Sequence, residues 1–414
     1  MNARVCDPLF DEWVQRARNV RPHDVASMLG WKLRKSTATE WIGPCPACNG
    51  DDGFSISTAK NVFNCRRAAV GGGVIDMVEH ALTLDFLAAV EIITGESRPS
   101  SARKETQEDR DARHRRAQAQ REANERRERD DAKKVERKRR RDEEAIDAIL
   151  ARAVSPWGTL VEAYLRGRDI APPRRFCGDL MFVPDVAYFG FEADAAVDAP
   201  AVHIATLPAM VAPIRNVAGG VIGAHVTYLD SATKKKWVAP WEADVEPKKR
   251  RNPAKKIRGE QCGGLIRLGL VGDVLAIAEG IETALSWWQI GAGIDNVSLA
   301  AGVSLGNMSG KCVGTLPHPR LMAGNGKPAR YPNGAPDLTA PGIVLPPGVR
   351  RVVLIGDGDS EPLMTRVRLL SAGRRFIAQG VEVSYCWARD GMDFNDELRA
   401  AMLSVGAGCE GIAA

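Results

Sequence analysis

No apolar run in this chain reaches the roughly 18 residues that a membrane-spanning helix needs. The N-terminal stretch also lacks the apolar core of a secretory signal. No GxxxxGK(S/T) loop occurs, which excludes a nucleoside-triphosphate motor of the P-loop kind. The nine cysteines form no even, closely spaced framework, so a disulfide-stapled secreted scaffold is set aside in favour of a reducing compartment. The expectation is a cytoplasmic protein with no membrane partner. Charge of one sign is not in large excess either. The formal net charge of +5 permits a nucleic-acid partner without requiring one. From about Ser97 to Glu144 apolar residues nearly vanish, so that stretch builds no core. Its opposite charges recur at helical i,i+4 spacing, which favours a solvated helix or a flexible linker. The basic run KKVERKRRR at its end is open to contact with a nucleic-acid backbone as well.

What remains is ample. A chain of 414 residues, 44% of them hydrophobic, suffices for two or three domains with substantial cores. Toward the C-terminus short apolar runs alternate with helical patterns. VLAIA leads to Glu279-Gly280 and then IETALSWWQI, and RRVVLI leads to Gly356-Asp357-Gly358-Asp359 and then TRVRLLSAGRRFIAQ. This alternation predicts an α/β region with a doubly wound parallel sheet, whose ligands bind at the carboxyl ends of the strands. Glu279, Asp357 and Asp359 all stand there. Hard oxygen donors grouped this way suit Mg²⁺ or Mn²⁺, which are held by a few carboxylates plus substrate phosphates. A third strand, VEVSYCWA, runs into Asp390-Gly391-Met392-Asp393-Phe394-Asn395-Asp396. There Asp393 reads equally as a helix cap or a metal contact, with Asp396 as further acidic support.

These residues resemble a known family. AEGIETAL, LIGDGDSEP and GMDFNDEL look like the three signatures of the Toprim domain, shared by DnaG-type primases, topoisomerases and several nucleases. The resemblance implies that Glu279, Asp357 and Asp359 are catalytic and bind Mg²⁺, with Asp393 close by. One departure stands out. Many primases carry Asp four residues after the motif Glu, and here that place is Thr283, with Glu282 just before it. Either Glu282 substitutes or the contact is absent.

Upstream, MVAPIRNVAGGVIGAHVTYLD, KKIRG and GGLIRLG resemble the basic half of the DnaG-type core. That likeness implies contacts to template and nucleotide from Arg215, Lys255, Lys256, Arg258 and Arg267. A further Arg of the family pattern is Thr227 here. Without the family, the cluster KKRRNPAKKIR reads as a solvated loop or a nucleic-acid contact.

Near the N-terminus, Pro44-Cys45-Pro46-Ala47-Cys48, FSIST and NVFNCRRAAVGGGVIDMVEHA read as a Cys-x-x-Cys knuckle, a short sheet, the third cysteine Cys65 and a helix. Cys45, Cys48 and Cys65 are spaced to share one Zn²⁺. The layout resembles the zinc ribbon of DnaG-type and phage primases, but the usual fourth cysteine is Ala68. Water, His80 or His23 would complete the site, or the ribbon stands without metal. Phe54, Phe63 and Trp41 are candidates for stacking on single-stranded DNA, or else ribbon core.

The expected layout is a zinc-ribbon-like module with a helical tail over residues 1–96, a charged helical linker over 97–150, an α+β basic half over 151–272 and a Toprim domain over 273–414, with a Pro- and Gly-rich insertion at 311–347. The expected activity is RNA primer synthesis on single-stranded DNA from nucleoside triphosphates, for a phage, plasmid or integrated element, beside a separate helicase. A metal-dependent Toprim nuclease and a non-catalytic DNA-binding replication factor are the alternatives.

Overall fold

The computed structural model describes residues 7–36, 39–48, 53–65, 68, 70–99, 106–176, 178–196, 199–247, 250–291, 297–322, 328–358 and 362–409. Asp359, one of the expected catalytic residues, lies outside them. The chain divides into two compact units. One comprises residues 1–140, 196–200 and 316–331, and the other 141–195, 201–315 and 332–414.

In the first unit, α1 (Pro8–Asn19) and α2 (Pro22–Met28) precede a five-stranded antiparallel sheet of β1 (Arg34–Lys35), β2 (Glu40–Gly43), β3 (Phe54–Ser57), β4 (Val62–Cys65) and β5 (Val70–Gly72). Helices α3 (Val74–Leu82) and α4 (Phe86–Thr94) follow. Asp7 caps α1 by accepting from the Leu9 N–H, and Pro8 pre-sets its first turn. Trp13 on α1 is fully buried, and its indole N–H donates to Thr94 Oγ1 and to the Glu96 carbonyl at 3.0 and 3.1 Å. Trp13, Phe54, Ile56, Phe63, Met77 and Val90 belong to one core. Phe54 and Phe63 are therefore packing residues, the ribbon-core reading of the two that the sequence allows. Trp41 is half-buried, with its ring 4.1 Å from that of His23.

The charged stretch forms one long helix, α5 (Gln107–Leu150). It is not wholly solvated, because Asp131 is only 5% exposed and pairs with Arg21 at 2.8 Å and Lys134 at 3.1 Å. Its last turns belong to the second unit, where Ile146 and Ile149 are buried.

The second unit contains α6 (Leu160–Arg166) and an antiparallel sheet of β6 (Met181–Gly190), β7 (Val202–Arg215), β8 (Val221–Tyr228) and β9 (Lys255–Gly259). Side chains alternate across its strands. Met210, Ala212 and Ile214 join the core shared with the second sheet, while Ala209, Val211, Ala224 and Val226 pack with Ile146, Ile149 and Trp237.

The second sheet and its helices comprise β10 (Ile266–Arg267), β11 (Val274–Ala278), α7 (Ile281–Gly291), β12 (Val297–Ala301), α8 (Leu305–Ser309) and, after a separate two-stranded hairpin of β13 (Thr315–Met322) and β14 (Pro328–Pro332) whose residues 316–331 belong to the first unit, β15 (Arg351–Gly356), α9 (Pro362–Ile377), β16 (Glu382–Trp387) and α10 (Phe394–Cys409). Its strand order is β10-β12-β11-β15-β16, all parallel except the edge strand β10. Ala276 and Ala278 of β11 pack on the face that carries α7 and α10, and Leu275 and Ile277 on the face that carries α9. After β11 the chain moves to β12 on one side, then returns to β15 on the other. The strand order thus reverses between β11 and β15, where open parallel sheets hold their ligands. The Pro- and Gly-rich insertion contains the β13–β14 hairpin, and buried Arg375 anchors its later part through the Asp337 and Ala340 carbonyls.

A cavity of carboxylates and lysines at the strand ends

A cavity of about 270 Å³ opens at that reversal point, lined among others by Glu279, Glu282, Asp357 and Asp393 and by Arg168, His225, Lys236 and Lys255. Glu279 directly follows β11 and Asp357 directly follows β15, neighbours in a register that pairs Ile277 with Leu354. The Leu305 N–H donates to Glu279 Oε1 at 3.3 Å, and the Thr283 hydroxyl donates to Asp357 Oδ2 at 3.1 Å. Thr283 thus fixes an acid instead of adding one.

Asp393 reaches the same cavity by a different route. The Gly358 N–H donates to the Met392 carbonyl and the Gly391 N–H to the Gly358 carbonyl, both at 2.9 Å, so the loop after β16 lies against the Asp-Gly turn. A Cβ on Gly358 would stand 2.2 Å from the Arg389 carbonyl oxygen. Glycine is required there by close approach more than by turning freedom. Asp393 also caps α10, accepting from the Asp396 N–H at 2.7 Å, while Asp396 accepts from the Asp393 N–H at 3.3 Å. Asp393 therefore caps α10 while also lining the cavity, and Asp396 is spent on the cap.

The basic side comes from three elements. Lys255 lies on β9 opposite Thr227, on the face shared with His225. Lys236 follows β8 and bridges back to Leu229. Arg168 sits in the turn after α6, where Asn395 Nδ2 donates to its carbonyl at 2.7 Å and Arg399 Nη2 to the Gly167 carbonyl at 3.0 Å. Glu282 is 6% exposed and accepts from Lys255 at 2.9 Å and Tyr164 at 2.8 Å, with Lys236 Nζ 3.2 Å away. Burial opposes its ionisation, but the Lys255 and Lys236 charges and the bonds from Lys255 and Tyr164 hold the carboxyl well below the usual carboxylate range. Burial, with Lys255 and Lys236 adding to it, pushes His225 down to about 4, so its imidazole is neutral near pH 7.

The other expected basic residues are engaged elsewhere. Arg215 forms a two-pronged pair with Asp179 at 2.8 and 2.9 Å and donates to the Gly219 carbonyl. Lys256 alternates to the opposite face of β9, where it lies 3.9 Å from the Tyr188 ring centre and donates to the Phe189 carbonyl. Arg258 donates to the Ala187 carbonyl at 2.9 Å, and Arg267 to the Asn216 carbonyl at 2.9 Å. Of the five, only Lys255 lines the cavity. Lys236, Arg168 and His225 were missed as site residues. Strand alternation from Lys255 points to His225 across the ladder, but nothing local marks Arg168 or Lys236.

A second cluster lies in the first unit. Strand register aligns Gly43 with Phe54 and Phe54 with Cys65, which sets the Cys45–Cys48 turn beside Cys65. His80 on α3 completes the set, with Nε2 3.3 Å from Cys45 Sγ and 3.7 Å from Cys48 Sγ. All four donor atoms lie within 4.8 Å of one another. Ala68 therefore leaves no gap, since His80 supplies the fourth donor, and a Cys₃His set fits tetrahedral Zn²⁺. A hydrogen bond with Cys65, then bonds with His80 and backbone N–H groups, bring the Cys45 thiol down to about 4, while the same Cys45 contact and burial push Cys65 up. No three carboxylates among the described residues gather as tightly. Glu279, Asp357 and Asp393 line one cavity without being grouped that closely.

A sequence family described as a domain of unknown function (DUF7146) matches residues 140–268. No curated protein matches the chain. Among solved structures, it is similar to the zinc-binding and RNA polymerase domains of the Aquifex aeolicus primase, at 16% identity over 95% of this chain and 85% of that one, with a TM-score of 0.33. The primase fragment of the bacteriophage T7 primase-helicase protein matches at 12% identity over 89% of this chain and 99% of that one, with a TM-score of 0.31. A DNA primase domain from Pseudomonas aeruginosa matches at 15% identity over 59% and 68%, with a TM-score of 0.31.

Proposed function

We propose that this chain is a DNA primase of the DnaG type from a phage, plasmid or integrated element, joining ribonucleoside triphosphates into short primers on single-stranded DNA. One observation carries the reading: Glu279, Asp357 and Asp393, which follow three adjacent parallel strands of the sheet, share a cavity with Lys236, Lys255 and Arg168. In this reading the parallel sheet is a Toprim domain, and Asp359 joins its acidic set. Mg²⁺ or Mn²⁺ held by Glu279, Asp357 and Asp393 would supply Lewis-acid stabilisation of the transferring phosphoryl group and its pyrophosphate leaving group.

The chain's own residues account for the rest. Lys236, Lys255 and Arg168 offset the negative charge of a triphosphate in a partly enclosed cavity, where such contacts count for more than in water. The Leu305 N–H and Thr283 hydroxyl restrain the Glu279 and Asp357 carboxylates, so the acids stay placed as substrate enters. Neutral His225 adds no charge and offers hydrogen bonding at the cavity wall. The Cys₃His ribbon, carrying Zn²⁺, is read as the template-capture module, with half-exposed Trp41 its remaining aromatic candidate. A helicase is proposed as a partner.

The test is primer synthesis by the full chain on mixed-sequence single-stranded DNA with labelled ribonucleotides and Mg²⁺ or Mn²⁺, beside Asp357→Asn. Short labelled products that the variant does not make support the reading. Metal-dependent shortening of the DNA without synthesis would assign a nuclease, and DNA binding without either activity would assign a non-catalytic replication factor.

A further inference from the structure

We propose that Glu282 is a positioning residue, whose buried carboxylate draws Lys236 and Lys255 together and holds both ammonium groups toward the phosphates of the bound nucleotide. This role rests on reading the cavity as a nucleotide site. The two lysines arrive from different elements, and Tyr164 from a third, yet all meet at one carboxylate. Exposure divides the set by function. The Glu282 side chain is 7% exposed, whereas those of Lys236 and Lys255 are 34% and 36% exposed and line the cavity. All three line the cavity, and a ligand meets far more of the two lysine side chains than of the carboxylate between them.

Glu282 is thereby removed from the acidic set. Both its oxygens already accept from Lys255, Lys236 or Tyr164, so it does not take the place of the acid that Thr283 lacks. The short segment from Glu279 to Thr283 instead serves both sides at once, with Glu279 and Thr283 on the acids and Glu282 on the bases. Without the Glu282 charge, two ammonium groups would converge with no counter-ion, and half-buried Lys236 would sit beside Lys255 and Arg168 alone. Like charges in a partly desolvated site disfavour the protonated form.

The experiment is calorimetric titration of the full chain with inorganic tripolyphosphate from about pH 6 to about pH 9, comparing wild type with Glu282→Gln. The groups that face this set are Tyr164 and Arg168 beside α6, His225 on β8, Glu279 after β11, Asp357 after β15 and Asp393 before α10. In this range His225 is already neutral, and the ratio of variant to wild-type affinity cancels the titration of the ligand itself. We expect the ratio to fall with rising pH, approaching about tenfold per pH unit once Lys236 titrates. A ratio near one throughout, or a uniform drop that pH does not move, overturns the positioning role.

Glu282→Asp keeps the charge on a shorter arm, and it carries the test if the amide variant does not fold. It is expected to bind several-fold more weakly with a flat ratio, and wild-type affinity or a steep pH dependence would overturn the proposal. If wild type binds no tripolyphosphate, the nucleotide reading of the cavity fails, and this role fails with it. A binding wild type with an indistinguishable Glu282→Gln defeats the positioning role alone.

Discussion

Gly358→Ala changes one methyl group at the centre of the site. The added Cβ would lie 2.2 Å from the Arg389 carbonyl oxygen, 2.9 Å from the Arg389 carbonyl carbon and 3.1 Å from the Ala388 oxygen. All three are backbone atoms, so no side chain can swing away. Ordinary contact begins near 3.4 Å, and the loop after β16 must therefore retreat by about 1 Å, a misplacement that can cost about 100-fold in rate when it shifts a reacting group. The retreat also strains the Gly358–Met392 and Gly391–Gly358 bonds, both 2.9 Å, at a net cost of about 1 kcal/mol each. We expect Gly358→Ala to remain folded, to lose about 2 kcal/mol of stability in the second unit, and to lose about 100-fold in nucleotide incorporation. Denaturant titration by tryptophan fluorescence, paired with single-turnover incorporation, measures both. Wild-type stability and rate together would refute the claim that this glycine seats the Asp393 loop.

Other perturbations separate residues that sequence alone treats alike. His80→Ala is expected to weaken zinc binding by more than about 100-fold, since even partners that only orient metal ligands are worth about 10–100-fold. His23→Ala should leave zinc content unchanged, and metal analysis after competition with a chelator distinguishes the two. Lys255→Ala should lower incorporation by about 100-fold or more, whereas Lys256→Ala, on the opposite face of the strand, should change it less than about threefold; equal losses would contradict the assigned faces. His225 binds fewer protons folded than unfolded between its folded value of about 4 and an ordinary value near 6.5. Its stability contribution is therefore present above about pH 6.5 and is lost as pH falls toward about 4, by up to about 3 kcal/mol. His225→Gln should flatten that part of the stability profile in urea titrations at stepped pH, and an unchanged profile would show that His225 does not carry it.

Much of the parallel sheet was legible because its strands are short apolar runs ending in acids, and a chain that reverses its strand order must gather those ends. The same logic marked Glu279 and Asp357, and it left Asp393 with two readings, of which the loop geometry shows the helix cap and places the residue at the cavity. Strand alternation distinguishes Lys255 from Lys256 once β9 is aligned on β8, but a basic run gives no register by itself. Arg168 and Lys236 were not legible. One is delivered by a turn clamped by Asn395 and Arg399, more than 200 positions away in sequence, and the other by a bridge after β8. His80 stood among the candidates for the fourth zinc donor, and only the packing of α3 against the sheet chose it over His23. Phe54 and Phe63 looked available for stacking because aromatic residues in a small ribbon serve either as core or as contact surface, and burial alone decides which.

The claim that one cavity builds polynucleotide from triphosphates meets its most direct test in a two-label reaction. Single-stranded DNA labelled at its 5′ end and ribonucleotides carrying a second label are incubated with the full chain and Mg²⁺, with Lys255→Ala and Asp357→Asn in parallel. The expected result is short ribonucleotide-labelled products from wild type, intact DNA, and loss of product in both variants. Shortened DNA with no ribonucleotide product, or synthesis undiminished in both variants, would contradict it.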